Sequence, residues 1–226
     1  MAIPDTTNLI SWWELTDLTD SHGSNDLTNN NAVTFVSDYA NFVAASSQSL
    51  SHVDNADLST GDIDYHKVVW FYLTTNGIFS LSAKGVGATG EYLVLYNSGL
   101  LDVTLTVYGA AGSSIGAATT TSNLSTGTWY MLDLYHSAAD NEVGIAINGG
   151  THITAATTGV PQDSTGSFNL GSRTGGSPFY FNGRMKKESF WKEKLSDDDR
   201  AWLYNAGAGR SYSELAPASS GMFMVF

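Results

Sequence analysis

The sequence predicts an all-β protein: a two-sheet antiparallel jelly-roll sandwich closed by one short C-terminal helix. Three observations carry that reading. Apolar or alternating runs recur about every ten to fifteen residues, with Gly, Asn and Asp turn signals between them. Charged residues make up only 14% of the chain, while Gly, Ser, Thr and Asn are abundant, a mix that suits strands and turns. Only one segment, residues 196–207, reads as a helix.

The elements follow in order. Residues 9–15 alternate as a first strand, Ile10-Ser11-Trp12-Trp13 at its centre. A polar loop spans 17–31 around Asp20-Ser21-His22-Gly23-Ser24-Asn25-Asp26. Short strands are predicted at 33–36 and 39–44, on either side of an Asp38 turn, and at 50–53. An acidic loop covers 54–64. Residues 65–74 carry Val68, Val69, Trp70, Phe71 and Tyr72, apolar on both faces, so this strand should be central. Strands follow at 78–84 and 92–97, and 100–108 alternates cleanly. Residues 109–122, rich in Gly, Ala and Ser, read as a soft loop. A second strong strand occupies 128–136. Asp140-Asn141 turns into 142–148, and Asn148-Gly149-Gly150 turns into 151–156, a hairpin signal. Strands at 167–171, 179–181 and 184–191 complete the set.

The helix has a complete start signal. Ser196 stands at the N-cap and Asp199 three residues on, the capping-box spacing. Asp197, Asp198 and Asp199 place negative charge where the helix dipole favours it, which explains all three without a metal. Trp202 and Leu203 can dock on a sheet, and Asn205 and Gly207 suit the stop.

The 226 residues fit one domain at 1–215 and an apolar tail at 216–226. The tail ends Met222-Phe223-Met224-Val225-Phe226, a liability in water, and is expected to contact a sheet, another copy or another subunit. With no cysteine there is no disulfide, thiolate nucleophile or zinc-thiolate site. No apolar run approaches a membrane span. The N-terminus has neither the basic region nor the apolar core of a secretory signal. The net charge of -12 argues against nucleic acid as a partner. That charge is uneven: of ten cations, only Lys67 and Lys84 precede residue 173. The other eight, in 173–210 and including Lys186 and Lys187, form a basic strip that is expected to be a solvated strand edge guarded by lysines, with an acidic neighbour or an acidic glycan as the alternative partner.

Several segments together resemble the laminin G-like, concanavalin A-like lectin/glucanase domains. They are Ile10 to Leu15, the Asp20 to Asp26 loop, Leu58-Ser59-Thr60-Gly61-Asp62, Ser82-Ala83-Lys84-Gly85, Thr126-Gly127-Thr128-Trp129-Tyr130, Ile147-Asn148-Gly149, Phe168-Asn169-Leu170-Gly171, Phe181-Asn182-Gly183-Arg184 and the closing helix. The resemblance implies two antiparallel sheets and leaves the function open, because the fold hosts lectins, adhesion modules, virion parts and enzymes. It also implies a calcium site, with Asp20, Asn25 and Asp26 as oxygen donors. Lys186 and Lys187 stand where related chains tend to be acidic, and repel a cation. Asp54, Asp57, Asp62 and Asp64 form a second, less regular candidate.

Glycanases of this fold resemble one another in an E-x-D-x-E strand motif. Of the six glutamates only Glu142 has a carboxylate two residues away, Asp140, and that pair sits in a turn. The histidines, His22, His52, His66, His136 and His152, are scattered, and no Arg, His and Tyr constellation can be assembled along the strands. The expectation is therefore a non-catalytic binding or adhesion module. Its expected setting is a larger assembly such as a phage virion, or another extracellular surface, with glycan contact. A free-standing lectin is the alternative, and a polysaccharide hydrolase or lyase ranks last. Tyr39, Tyr96, Tyr108 and Tyr180 are the aromatics expected at the surface for stacking on sugars.

Overall fold

A computed structural model of the chain describes residues 2–85, 87–121, 123–173 and 177–215. The tail around Met222, Phe223 and Phe226 lies outside the described residues. In chain order the first strands are β1 (Leu9–Trp13), β2 (Thr28–Asn30), β3 (Thr34–Val36), β4 (Tyr39–Phe42), β5 (Ser49–His52), β6 (Tyr65–Leu73), β7 (Ile78–Lys84) and β8 (Tyr92–Asn97). Then come β9 (Asp102–Tyr108), β10 (Ser114–Thr119), β11 (Trp129–Ser137), β12 (Glu142–Ile147), β13 (Ile153–Ala156), β14 (Phe168–Leu170) and β15 (Gly183–Trp191), followed by the helix α1 (Asp197–Tyr204).

All pairings are antiparallel and form two sheets. One runs β13-β12-β11-β6-β15-β4-β3, with β1 also paired to β15. Its outer face carries α1, so we call it the covered sheet. The other, the open sheet, runs β10-β9-β8-β7-β14-β5-β2. The predicted sandwich and its closing helix are both present.

Strand alternation sorts the side chains. In β9, Val103, Leu105 and Val107 are buried between the sheets, while Thr104, Thr106 and Tyr108 face out. β6 is apolar on both faces because both are covered. Val69 and Phe71 enter the core between the sheets, while Val68 and Trp70 enter a second core beneath α1. There Trp12, Trp191, Trp202 and Leu203 pack together, and Trp70 stacks on Tyr204 at 5.9 Å. Burying a side chain of this size contributes about 2–3 kcal/mol.

The helix start is as expected. Ser196 accepts from the Asp199 amide, and the Asp199 carboxylate accepts from the Ser196 amide, closing the capping box. Asn205 takes the left-handed conformation that ends the helix. Asn148 and Gly149 have φ of 56° and 68°, the positive pair a tight hairpin needs.

Four expectations are corrected. Residues 114–119, read as loop, form β10, because pairing with β9 and a bond from the Thr158 amide to the Ile115 carbonyl outweigh weak local propensity. Thr28–Asn30, inside the predicted polar loop, pairs with β5 as an edge strand. Residues 179–181 are not a strand: Phe179 has φ of 48°, outside the extended region. Lys186 and Lys187 do not guard an edge. β15 is central, between β6 on one side and β4 and β1 on the other.

Candidate functional site

The open sheet's outer face is bare of charge along a full row. Thr28, Ser51, Asn169, Ala83, Leu93, Thr106 and Ala117 are successive cross-strand partners from one edge to the other. At one end of this row a groove of about 430 Å³ opens over β2, β5 and β14. Asn30, Ser49, Ser51 and Asn169 line it from the strands, and Arg173 and Tyr180 from the segment after β14. Asn30 Nδ2 donates to Ser51 Oγ at 2.9 Å, and Asn169 Nδ2 donates to the Ser167 carbonyl at 2.8 Å. Each amide is thus fixed by its nitrogen, and its carbonyl oxygen is left to accept from a ligand. The Arg173 guanidinium lies 4.6 Å from the Phe179 ring and bonds the Ser177 carbonyl at 2.8 Å, which holds that wall.

Of the tyrosines expected at the surface, Tyr180 lines this groove and Tyr39 and Tyr108 are half-buried. Tyr96 is not at the surface. It shares the inward register of Tyr92 and Val94 and is fully buried against Phe79.

Charge is instead concentrated inside the molecule. Lys67 and Lys84, the two cations before residue 173, are both buried. Lys67 Nζ lies 2.8 Å from Glu188 Oε1 and donates to Ser82 Oγ and Tyr92 OH at 2.6 and 2.8 Å. Lys84 Nζ bonds Glu91 at 3.0 Å, the Gly166 carbonyl at 2.7 Å and Asp54. Glu91 in turn accepts from Thr60 and Ser164, so this cluster ties three loops to the open sheet. Asp54 is therefore spent on Lys84, and Asp64 accepts from the Ala138 amide.

A third cluster rivets α1 to the covered sheet. Asp133 of β11, with no exposed surface, takes three bonds from Arg200: Nε to each oxygen at 3.1 Å and Nη2 at 2.9 Å. Arg200 also donates to Asp197 and the Gly150 carbonyl, both at 2.6 Å. His152 bonds the same carboxylate, and His66 Nε2 lies 3.3 Å from it. Burial alone would raise the Asp133 carboxyl. The bonds from His152, His66 and Arg200 outweigh it and hold the group well below the usual range. Burial pulls His66 down, against the pull of Asp133.

This cluster was missed in the sequence, because its members come from four separate elements. It brings Tyr135, His152 and Arg200 to one pocket of about 510 Å³. Their reactive ends are engaged with one another's neighbours. Arg200 is saturated, and Tyr135 donates to Glu142, with burial and that bond pushing its phenol up to about 12. The ligand atoms of His66, Asp133 and His152 lie within 4.8 Å of one another, a metal-like spacing. The Leu195 amide, however, donates to His66 Nδ1 at 3.3 Å, which places the proton of the neutral ring on Nε2, 3.3 Å from Asp133 Oδ1. Arg200 holds both carboxylate oxygens. The cluster is an ion-pair network.

The Asp20 loop is braced by its own backbone. Asp20 Oδ1 accepts from the amides of Trp12, His22 and Gly23, each at 3.0 Å, and Oδ2 from Asn25 at 3.1 Å. The Asn25 side chain bonds Ser11 and Asn55 at 2.8 and 2.6 Å, and Asp26 accepts from the Asp20 amide at 2.8 Å. A calcium ion held by Asp20, Asn25 and Asp26 would have to displace those donors.

Two antiparallel sheets, a closing helix and a polar groove on the open face, with Arg173 as its one charged lining residue, define a sandwich of the lectin type. Residues 45–199 match the family model described as the concanavalin A-like lectin/glucanases superfamily, in a laminin G form, and the chain belongs to that superfamily. No curated protein matches the chain in sequence. Among solved structures it is similar to the binding domain of Paraclostridial mosquitocidal protein 1 (TM-score 0.69, 12% identity) and to the botulinum neurotoxin serotype C1 binding domain (0.68, 12%). A third is the binding domain of botulinum neurotoxin DC in complex with SialylT (0.69, 10%). The matches cover 88–89% of this chain and 52% of each of those, so the chain spans about half their length. At these identities the likeness is one of fold.

Proposed function

We propose that the chain is a non-catalytic binding module that takes neutral glycan in the open-sheet groove. The observation that carries this reading is the groove lining itself. Hydroxyls and fixed amides, with one tyrosine at the margin, match the alternating donors, acceptors and flat faces of a sugar. The engagement of Lys84 with Glu91 and of Arg200 with Asp133 in structural ion pairs supports the absence of catalysis.

Within this reading the module works in a larger assembly, with a phage virion decoration or tail part favoured over a free-standing lectin. The apolar tail around Met222, Phe223 and Phe226 would supply a contact to itself or to another subunit. A glycan array tests the ligand. Binding to one sugar class, lost by about tenfold or more in Asn169→Ala combined with Ser51→Ala, is expected, since each lost bond contributes about 1 kcal/mol. Binding that ignores those changes would overturn the groove assignment, and turnover of any polysaccharide would overturn the non-catalytic reading. For the assembly, the full chain should run larger in solution than a chain ending at Leu215.

A further inference from the structure

On the outer face of the covered sheet, a second pocket of about 580 Å³ opens where β15 breaks its register. Lys186 pairs with Trp70 and Ser189 with Val68, so Lys187 and Glu188 together oppose a single residue of β6. This is a β-bulge, a device that re-aims side chains. Lys187 sits at φ 53°, a conformation an L-residue adopts only under constraint. The bulge resets the alternation: Glu188 turns inward to Lys67, and Lys187 lines the outer pocket.

Lys187 differs there from every other cation. Among the described residues it is the one Lys or Arg whose head group makes no direct hydrogen bond, ion pair or ring contact, although the Glu14, Glu214 and Asp38 carboxylates act on it from further off. Lys186 has Asp38 at 3.3 Å and the Trp129 ring at 4.5 Å. Even Arg184, which lacks a carboxylate, lies over the rings of Tyr39 and Tyr72. Lys187 is half-buried, and burial pulls its ammonium below the ordinary lysine value. The acids that line the pocket are engaged elsewhere. Glu14 accepts from Trp12 Nε1 at 2.9 Å and from the Tyr212 amide, and Asp38 faces Lys186. Ser37 and Ser213 add hydroxyls to the same wall.

A half-buried ammonium with no direct ion-pair contact, beside hydroxyls and with Glu14, Asp38 and Glu214 only at longer range, can take one anionic group of a polar ligand as its contact partner. Building on the glycan-binding reading, we propose that the β15 bulge forms a second site, in which Lys187 holds the carboxylate of an acidic sugar while Ser37 and Ser213 take its hydroxyls. The two sites would then divide the labour: the groove, whose strand-borne lining is uncharged and whose one cation, Arg173, is held against Phe179 and the Ser177 carbonyl, takes neutral residues, and the bulge takes a uronic or similar acid.

The test uses the full chain with matched ligands, glucuronate-bearing and glucose-bearing oligosaccharides, followed by backbone amide shifts and titration. The variant is Lys187→Asn, because Asn tolerates positive φ and keeps the bulge. The expected result is shifts at residues 186–189 and 213 with the acidic ligand only, and an affinity loss of about tenfold or more in K187N. Neutral-ligand binding should be unchanged in K187N, and Lys187→Arg should restore acidic binding. Equal acidic binding by wild type and K187N would overturn the proposal. So would neutral binding at the groove without any acidic binding, an outcome that leaves the groove reading standing. Acidic binding that disappears with Asn169→Ala and persists in K187N would assign the acid to the groove and overturn the second site.

Discussion

The two outer faces of this sandwich solve opposite problems. The open face presents small hydroxyls and amides in an uncharged row from β2 to β10. The covered face packs three tryptophans under a helix that adds a fourth, and pins that helix with a buried carboxylate, two histidines and an arginine. The difference separates recognition from stability. Groove side chains have spare hydrogen-bonding capacity and little apolar area, so they contribute little to folding. The charges of the Asp133 cluster are engaged with one another, so they leave little for a ligand and have much to lose if one partner goes, unlike Lys187 at the bulge of the same sheet.

The largest test of that contrast is Asp133→Ala. Removing one member of a buried pair typically costs 3–5 kcal/mol. Here about 3 kcal/mol is expected, because Asp197 and the Gly150 carbonyl still hold Arg200. Urea unfolding should show this loss, while groove ligand affinity at native temperature stays the same. The open-face change Asn169→Ala should weigh the other way: a loss of only about 1 kcal/mol for its one bond to the Ser167 carbonyl, with binding lost. If D133A weakens glycan binding as much as N169A does, the division between the faces fails.

A smaller effect is expected with pH. His66 stays neutral in the folded protein, because its value is lowered, but takes a proton when unfolded below about pH 6.5. The unfolded state then binds more protons, so stability should fall as pH drops through that range. Asp133 acts the same way lower down. It stays ionised in the fold while the unfolded carboxyl protonates near pH 4, giving a second fall. His66→Gln should remove the first fall and leave the second. A wild-type urea midpoint that is flat between pH 7.5 and pH 5.5 would show that His66 carries no such linkage.

What the sequence made legible follows from what is local. The helix cap, the Asn148-Gly149 turn and the central strand β6 are written in adjacent residues, and all three are present as read. β10 was invisible because Ser114, Gly116, Ala117 and Ala118 have little strand preference, and β9 supplies the pairing. Tyr96 was misplaced because alternation in β8 has a phase that only the inward Tyr92 and Val94 reveal. The Asp133 cluster joins residues as far apart as His66 and Arg200, and no spacing rule finds it. Lys186 and Lys187 stood out in the sequence, but only the bulge explains why two adjacent lysines on one strand meet different fates.

The least expected change concerns calcium at the Asp20 loop, and it bears on the covered face, where His22 of that loop contacts Tyr212 at 3.1 Å. Calcium takes six to eight oxygens at about 2.3–2.6 Å. The four Asp20 contacts are all from N–H groups, whose positive ends point where a cation would sit. Binding would cost the bond from the buried Trp12 amide, which joins β1 to the loop. It would also place a dication near the unpaired Lys187. Thermal unfolding in millimolar calcium and in chelator should therefore differ by less than about 1 °C, since a ligand stabilises only in proportion to its occupancy of the folded state. A calcium-dependent rise of several degrees, abolished by Asp26→Asn, would place the ion at the loop. The brace of N–H bonds would then be the metal-free arrangement of a switchable site.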